Sequence, residues 1–117
     1  MKDYSPLPQR SVCPVSCTLD LIGDKWTLLV VRDLFLGKTR FKDFQTSPEG
    51  IATNILSDRL GKLLSSGLAE KFTNPDRPKK PEYRLTKKGL SLEPILRAVA
   101  QWGLDQIKGT EARLLKS

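Results

Sequence analysis

The 117-residue sequence has no histidine and only two cysteines. The absence of histidine removes the commonest general base and the usual partner of a nucleophilic serine or cysteine. Two cysteines four positions apart cannot by themselves complete a zinc site, and the sequence has neither a P-loop nor a GxGxxG motif. We therefore expect a protein that is not an enzyme and that uses no metal or cofactor.

Long apolar segments are also missing. No run approaches the roughly 18 apolar residues that cross a bilayer, and residues 1–10 lack the apolar core of a signal peptide. We expect a cytoplasmic protein with no membrane partner. The eight aromatic residues occur mostly at core spacing, so a stacking platform for RNA is a weak hypothesis.

Positive charge is what the chain has in excess. It carries 20 Lys+Arg against 13 Asp+Glu, and residues 38–88 hold twelve basic and six acidic residues. A polyanionic partner would favour such a concentration, although basic surfaces also serve solubility alone. The length indicates one domain with a modest core, for which a surface shared with a second copy is expected.

Helix signals begin at Cys13-Pro14, because proline is favoured in the first helical position. Residues 1–12 are predicted to form an N-terminal arm before it. A second helix should run from about residue 25 to 36, with Asp24 as its N-cap and Gly37 as its stop. Apolar residues cover most sides of this helix, so it should be the buried central one.

The next segment predicts a helix-turn-helix. Thr39 should cap a short helix whose Phe41 and Phe44 point inward, and Ser-Pro-Glu-Gly at 47–50 predicts a turn. The helix that follows, at about 52–66 with Gly67 as its stop, combines an apolar stripe with small, polar side chains on the exposed side of its first half. Two short helices joined by a tight turn match the helix-turn-helix description.

A basic hairpin and a last helix complete the pattern. Residues 68–86 should form a wing, with strands at about 68–73 and 82–86 joined by a proline-stiffened loop that carries three cations. Thr86 should cap one helix from about 87 to 108, kinked at Pro94, and residues 109–117 form a tail. The predicted fold is mainly α with a small antiparallel β-wing.

Several short patterns spread over most of the chain keep a fixed order and spacing: Cys13-Pro14, LIGDKWT at 21–27, Phe41 with Asp43-Phe44, IATNILSDRL at 51–60, Gly67-Leu68, Tyr83-Arg84-Leu85-Thr86 with Gly89, and Trp102-Gly103. In this respect the chain resembles the HxlR family of prokaryotic winged helix-turn-helix transcriptional regulators over about residues 13–103. The resemblance implies a homodimer that binds double-stranded operator DNA and that dimerises through its N- and C-terminal helices.

Two groups of residues are then expected to contact DNA. Side chains on the exposed face of the recognition helix, which matches residues 52–64, would face the bases: Thr53, Asn54, Ser57, Asp58, Arg59 and Lys62. Cations on the wing and near the preceding helix would contact phosphates or a minor groove: Lys38, Arg40, Arg77, Lys79 and Lys80.

Two positions depart from the family pattern. Ala52-Thr53 stands where members often have Ser-Pro, so the N-cap hydroxyl either comes from Thr53 or is missing. Asp58 stands where members often have an uncharged polar residue, and phosphate would repel its carboxylate. Asp58 would then accept a cytosine amino group, or pair with Arg59 or Lys62.

The last helix and the first cysteine are the remaining candidate sites. The last helix presents more apolar surface than a small core needs, which predicts a dimer interface: Leu92, Ile95, Leu96, Val99 and Trp102. Some family members sense oxidants or electrophiles through a cysteine matching Cys13, and a helix N-terminus favours the thiolate. Simple packing is the alternative for Cys13 and the expectation for Cys17, and whether an effector is a small molecule or an oxidant stays open.

A second class of function competes with DNA binding. The same fold could serve as a winged-helix protein-interaction module, without sequence-specific DNA binding, whose basic wing holds an acidic partner. Salt dependence separates the two hypotheses, because a protein that neutralises several phosphates loses affinity log-linearly with salt.

Overall fold

The computed structural model describes residues 11–111, and every structural statement below concerns that part of the chain. The arm predicted at 1–12 and the tail predicted at 109–117 therefore lie mostly outside the described residues. The elements follow in chain order: α1 Pro14–Ile22, α2 Thr27–Phe35, α3 Phe41–Phe44, α4 Thr53–Ser65, β1 Ala69–Asn74, β2 Arg77–Leu85, α5 Lys87–Leu90 and α6 Glu93–Gln106. Between residues 11 and 111, no helix has the length and apolar character needed to cross a bilayer.

The first two helices begin close to where the sequence predicts. Helix α1 starts after Cys13 with Pro14 in its first turn. Helix α2 starts at Thr27, two residues later than predicted, and its N-cap position is Trp26 rather than Asp24. The Asp24 carboxylate nevertheless accepts hydrogen bonds from the Trp26 and Thr27 amides, at 3.0 and 3.2 Å, so it satisfies donors that the helix start leaves free. Gly37, at φ 94°, follows the end of α2 as predicted.

The core lies between α2 and α4. Val30 and Val31 of α2 are buried, as the prediction of a central helix requires, and the apolar stripe of α4 packs against them. Phe44 of α3 is fully buried, and its ring meets Tyr83 of the wing edge to face, with centroids 6.4 Å apart. The remaining buried apolar residues of the core are Ile22, Leu34, Ile51, Leu56, Leu60, Leu63, Leu68, Ala69 and Leu92.

The helix-turn-helix forms as predicted, with two differences at the caps. The N-cap of α3 is Arg40 rather than Thr39, and the Asp43 carboxylate accepts a hydrogen bond from the Arg40 amide at 3.3 Å. The predicted turn is present, because the Gly50 amide donates to the Ser47 carbonyl at 3.0 Å. Helix α4 begins after Ala52 with no side-chain cap, so the N-cap hydroxyl of the family is missing here.

The wing has a shorter turn and a longer second strand than predicted. Strands β1 and β2 pair antiparallel from Ala69 opposite Leu85 to Phe72 opposite Glu82, and pair again at Asn74 opposite Arg77. Residues 78–81, which were predicted to be loop, therefore bulge out of β2. Two of these four residues are prolines, which cannot donate a ladder hydrogen bond and are tolerated at bulges.

Two helices replace the single C-terminal helix predicted at 87–108. Thr86 caps α5 as predicted, because its hydroxyl oxygen accepts a hydrogen bond from the Gly89 amide at 3.1 Å. Helix α5 ends at Leu90, and Pro94 lies in the first turn of the separate helix α6 instead of kinking a continuous helix. A proline in the first turn of a helix removes no intrahelical hydrogen bond, because the first N–H groups have no partner there. A proline in a helix interior removes one.

Candidate nucleic-acid interface

The recognition helix α4 presents a polar face to solvent. Thr53, Asn54 and Ser57 are exposed at its N-terminal half, opposite the buried stripe that includes Leu56 and Leu60. The Thr53 hydroxyl oxygen accepts a hydrogen bond from the Gln45 side chain of the preceding turn at 2.9 Å. The face that a base edge could contact is therefore built from small polar side chains.

The charged residues of the same helix have partners inside the protein. Arg59 donates its Nε–H to Asp24 Oδ2 at 2.7 Å, and its Nη1 to Asp58 Oδ2 at 2.6 Å. The Lys62 ammonium lies 3.7 Å from Asp24 Oδ1. Of the alternatives for Asp58, the pair with Arg59 is the one that forms. Arg59 and Lys62 thus connect the recognition helix to the α1–α2 junction.

Asp24 is the centre of this connection. Burial raises the pKa of its carboxyl, but hydrogen bonds from Thr27, Arg59 and the Trp26 amide outweigh burial and hold the pKa well below its ordinary range. Asp24 is therefore charged throughout the neutral range. It fixes the start of α2 and the middle of α4 with one carboxylate.

A second carboxylate, Glu82, organises the wing. Its side chain is only 2% exposed. It accepts hydrogen bonds from Arg77 Nε at 2.9 Å and Nη2 at 3.1 Å, and from the Thr39 hydroxyl at 2.7 Å. These partners, Arg77 first, lower the pKa of Glu82 to about 2.

Sequence reasoning missed the role of Glu82. The available signal was a single acidic residue within the basic stretch from Arg77 to Arg84. The Thr39 hydroxyl, expected to cap α3, donates to Glu82 instead. The backbone carbonyl of Thr39 also accepts a hydrogen bond from the Tyr83 amide at 2.8 Å. The wing is therefore joined to the residues that precede α3.

The five cations predicted to contact phosphate differ in their availability. Lys38 donates to the Ser47 hydroxyl at 2.6 Å, Arg40 pairs with Asp43 at 3.2 Å, and Arg77 is held by Glu82. Lys79 and Lys80 are exposed on the wing bulge, and the structure of residues 11–111 gives their ammonium groups no hydrogen bond or ion pair. These two lysines are the available cations of the predicted set.

The predicted dimer stripe divides into two faces. Leu92 and Leu96 are buried in the core of their own chain, because both lie on the inner side of the α6 start. Ile95, Val99 and Trp102 lie on the other side and are exposed, with Trp102 at 62%. Val15 and Leu19 of α1 are also exposed, as is Val12 just before that helix. Both helices make few contacts with the other elements.

The two thiols occupy different surroundings. Cys13 is exposed at the N-cap of α1, where its amide donates to the Ser11 hydroxyl at 2.9 Å. Cys17 is partly buried, and its thiol donates to the Ser11 carbonyl at 3.6 Å. Cys17 is not part of the apolar core, contrary to the expectation of core packing. Across residues 11–111, no cluster of three or more acidic, cysteine or histidine side chains could hold a metal ion.

Comparisons with known proteins agree with this architecture. Residues 21–111 match the family described as HxlR-like helix-turn-helix. An uncharacterised HTH-type transcriptional regulator of Synechocystis sp., sll1512, is 33% identical over 97 residues, which are 83% of this chain and 72% of the relative. Both matches cover the recognition helix and the wing.

Solved structures share the same fold. PA1607, a candidate transcription factor, superposes with a TM-score of 0.82 at 42% identity over 92% of this chain and 77% of that one. The oxidised form of the redox regulator HypR gives a TM-score of 0.72 at 35% identity over 80% and 96%. These matches confirm the predicted winged helix fold. The chain belongs to the HxlR-like helix-turn-helix family.

Proposed function

We propose that this protein regulates transcription by binding operator DNA as a homodimer, with α4 in the major groove and the wing on the neighbouring backbone. The exposed polar face of α4, together with the lysines Lys79 and Lys80 of the wing, unpaired within residues 11–111, is the observation that carries the proposal. Names of relatives and structural neighbours support it, since sll1512 and PA1607 are both described as transcription factors or regulators.

Base recognition is assigned to the first half of α4. Asn54 can donate to and accept from one adenine through its side-chain amide, and Thr53 and Ser57 can contact either kind of base. Arg59 and Lys62 act through Asp24 to orient this helix, since both have carboxylate partners within the protein. Lys79 and Lys80 supply backbone contacts from the wing.

Dimerisation is assigned to α1 and α6. Trp102, Val99 and Ile95 form an exposed apolar stripe on α6, and Val15 and Leu19 extend apolar surface on α1. Exposed apolar surface of this kind usually marks an interface. A two-fold dimer would bring the two α4 helices to half-sites about one helical turn apart on the same side of the duplex.

Oxidant sensing is assigned to Cys13. Its thiol is exposed at the start of a helix of the proposed interface, and the structural neighbour HypR is named a redox regulator. Oxidation of Cys13 to a sulfenic acid would place a polar group at that interface and change the spacing of the two α4 helices. Peroxide should then alter DNA affinity in the natural protein and in Cys17→Ser, but not in Cys13→Ser.

Fluorescence anisotropy with a duplex selected from a random-sequence library tests DNA recognition. Asn54→Ala should weaken binding to that duplex by about 1–3 kcal/mol while leaving random DNA nearly unaffected. Gln101→Ala, which removes an exposed side-chain amide on the side of α6 away from Ile95, Val99 and Trp102, is the control and should change neither. Equal losses on both duplexes for Asn54→Ala would show that α4 does not recognise bases. An affinity for duplex DNA that does not change with salt concentration would favour the protein-interaction module.

A further inference from the structure

A cleft of about 500 Å³ lies between the start of α3 and the bulge of the wing. Its volume falls within the roughly 300–1,000 Å³ range of small-molecule sites. The two sides differ in origin but share a chemistry, in which apolar surfaces are surrounded by cations. The residues that matter are Phe41 and Lys42 on the helix side, and Pro78, Lys79, Lys80 and Pro81 on the wing side.

The buried Glu82 network fixes the width of this cleft. Glu82 accepts hydrogen bonds from Thr39, just before the helix side, and from Arg77, at the start of the wing side. Pro78 and Pro81 restrict the backbone of the bulge itself. A site whose walls are already held in place needs little ordering when a ligand enters, which favours binding.

The charges of the cleft select an anion. Arg40 and Arg77, which also line it, are compensated by Asp43 and Glu82. Lys79 and Lys80 have no such compensation within residues 11–111. Asp76 is the remaining carboxylate of the lining, and the two lysines outnumber it. Each lysine ammonium offers three donors to an acid group. The uncompensated charge of this surface is therefore positive.

The apolar surfaces select a ring. The Phe41 ring can contact an aromatic ligand face to face or edge to face, and the saturated rings of Pro78 and Pro81 offer rigid apolar C–H surfaces on which an aromatic face can pack. An inorganic anion alone would leave these surfaces wet. An aromatic carboxylate satisfies both requirements, because its ring covers the apolar surface and its acid group faces the lysines.

We propose that this cleft binds small aromatic carboxylates and that its occupant competes with DNA for Lys79 and Lys80. The competition rests on the proposed DNA-binding function, whereas binding in the cleft does not. The wing is thereby assigned a second role as a site for an effector, distinct from the oxidant response at Cys13.

A nuclear magnetic resonance titration of the ¹⁵N-labelled full chain tests the binding step, with naphthalene-2-carboxylate as the probe. Saturable shifts are expected at the amides of Phe41, Lys42, Lys79 and Lys80. The neutral analogue 2-naphthylmethanol and the ringless anion acetate should each bind about tenfold or more weakly, which corresponds to about 1.4 kcal/mol. The double variant Lys79→Gln/Lys80→Gln should lose affinity about as much, and Lys71→Gln, an exposed lysine of β1, should retain it.

Three results would overturn the site: no shifts at these amides, shifts centred on α1 and α6, or equal binding of the alcohol. Unchanged DNA affinity at saturating naphthalene-2-carboxylate, with acetate keeping the ionic strength equal, would overturn the competition while leaving the site. Failure of the protein to bind any DNA would overturn the competition as well, and the titration would still decide the site by itself.

Discussion

Replacing Arg59 with methionine should lower the free energy of unfolding and should leave the salt dependence of DNA binding nearly unchanged. The guanidinium donates to Asp24 at 2.7 Å, and the two side chains are only 23% and 27% exposed. Hydrogen bonds to charged groups contribute about 1.5–3 kcal/mol. The contact with Asp58, whose side chain is 68% exposed, adds at most about 1 kcal/mol. After allowance for solvent screening, we expect a loss of about 1.5–2 kcal/mol.

Urea unfolding followed by circular dichroism at one fixed chain concentration measures this loss, since unfolding of a dimer depends on concentration. Asp24→Asn, which keeps an oxygen for the Trp26 and Thr27 amides, completes a double-mutant cycle with Arg59→Met. The coupling free energy should be about 1 kcal/mol. Arg97→Met is the matched control, because its pair with Glu93 is exposed on α6 and should cost under about 0.5 kcal/mol.

The opposite pattern would refute the reasoning. Suppose that Arg59→Met lost less than about 0.5 kcal/mol of stability while the slope of log affinity against log salt fell by about one unit. Arg59 would then contact a phosphate directly, and its pairing with Asp24 would not survive in the complex.

Three further predictions concern the wing, the glycines and the interface. Because the pKa of Glu82 is lowered, its carboxylate stabilises the fold fully above the ordinary pKa of 4.5 and loses this effect as the pH falls towards about 2. Glu82→Gln should therefore make the free energy of unfolding depend less on pH in that range. Gly89→Ala would place a Cβ 2.0 Å from the Leu68 carbonyl oxygen and should cost about 1–3 kcal/mol or more, whereas Gly61→Ala meets open space in a helix and should gain about 0.5–1 kcal/mol in thermal unfolding. Trp102→Glu should yield monomers in light scattering, and an unchanged mass would remove α6 from the interface.

Local signals in the sequence were sufficient for the elements that contain no interior proline. The apolar stripe of α4 and the stop at Gly67 predicted a helix at about 52–66, and the structure has Thr53–Ser65. Gly37 and Gly67 both adopt positive φ, a conformation that other residues rarely take, so their positions marked helix ends directly.

Proline positions could not be interpreted in the same way. The ring removes a backbone donor, but a loop, a bulge, a kink and a helix start all tolerate that loss. At Pro78 and Pro81 the outcome is a bulge because Arg77 remains paired with Asn74 across the wing. At Pro94 it is a new helix, and the preceding segment is fixed by the close approach of Gly89 to Leu68. Both outcomes depend on contacts outside the local sequence.

The partners of charged residues were equally hidden. Arg59 and Asp24 are separated by 35 positions, so no helical or strand period relates them. Glu82 alternates with the apolar Tyr83 and Leu85 in the sequence, which is the pattern of an outward-facing strand residue. Only its contacts with Thr39 and Arg77 explain its burial. The sequence therefore predicted which elements carry charge, but it overestimated how much of that charge is available to a partner.

This difference has a measurable consequence for DNA binding. Five cations predicted per protomer would give ten phosphate contacts in a dimer and a slope of log affinity against log salt near about −9. Lys38, Arg40 and Arg77 have partners within the protein, whereas Lys79, Lys80 and the exposed Lys42 are available to phosphates. Three contacts per protomer give a slope of about −5. Anisotropy titrations over a range of salt concentrations distinguish these values. A slope near about −9 would mean that the internal ion pairs open when DNA binds.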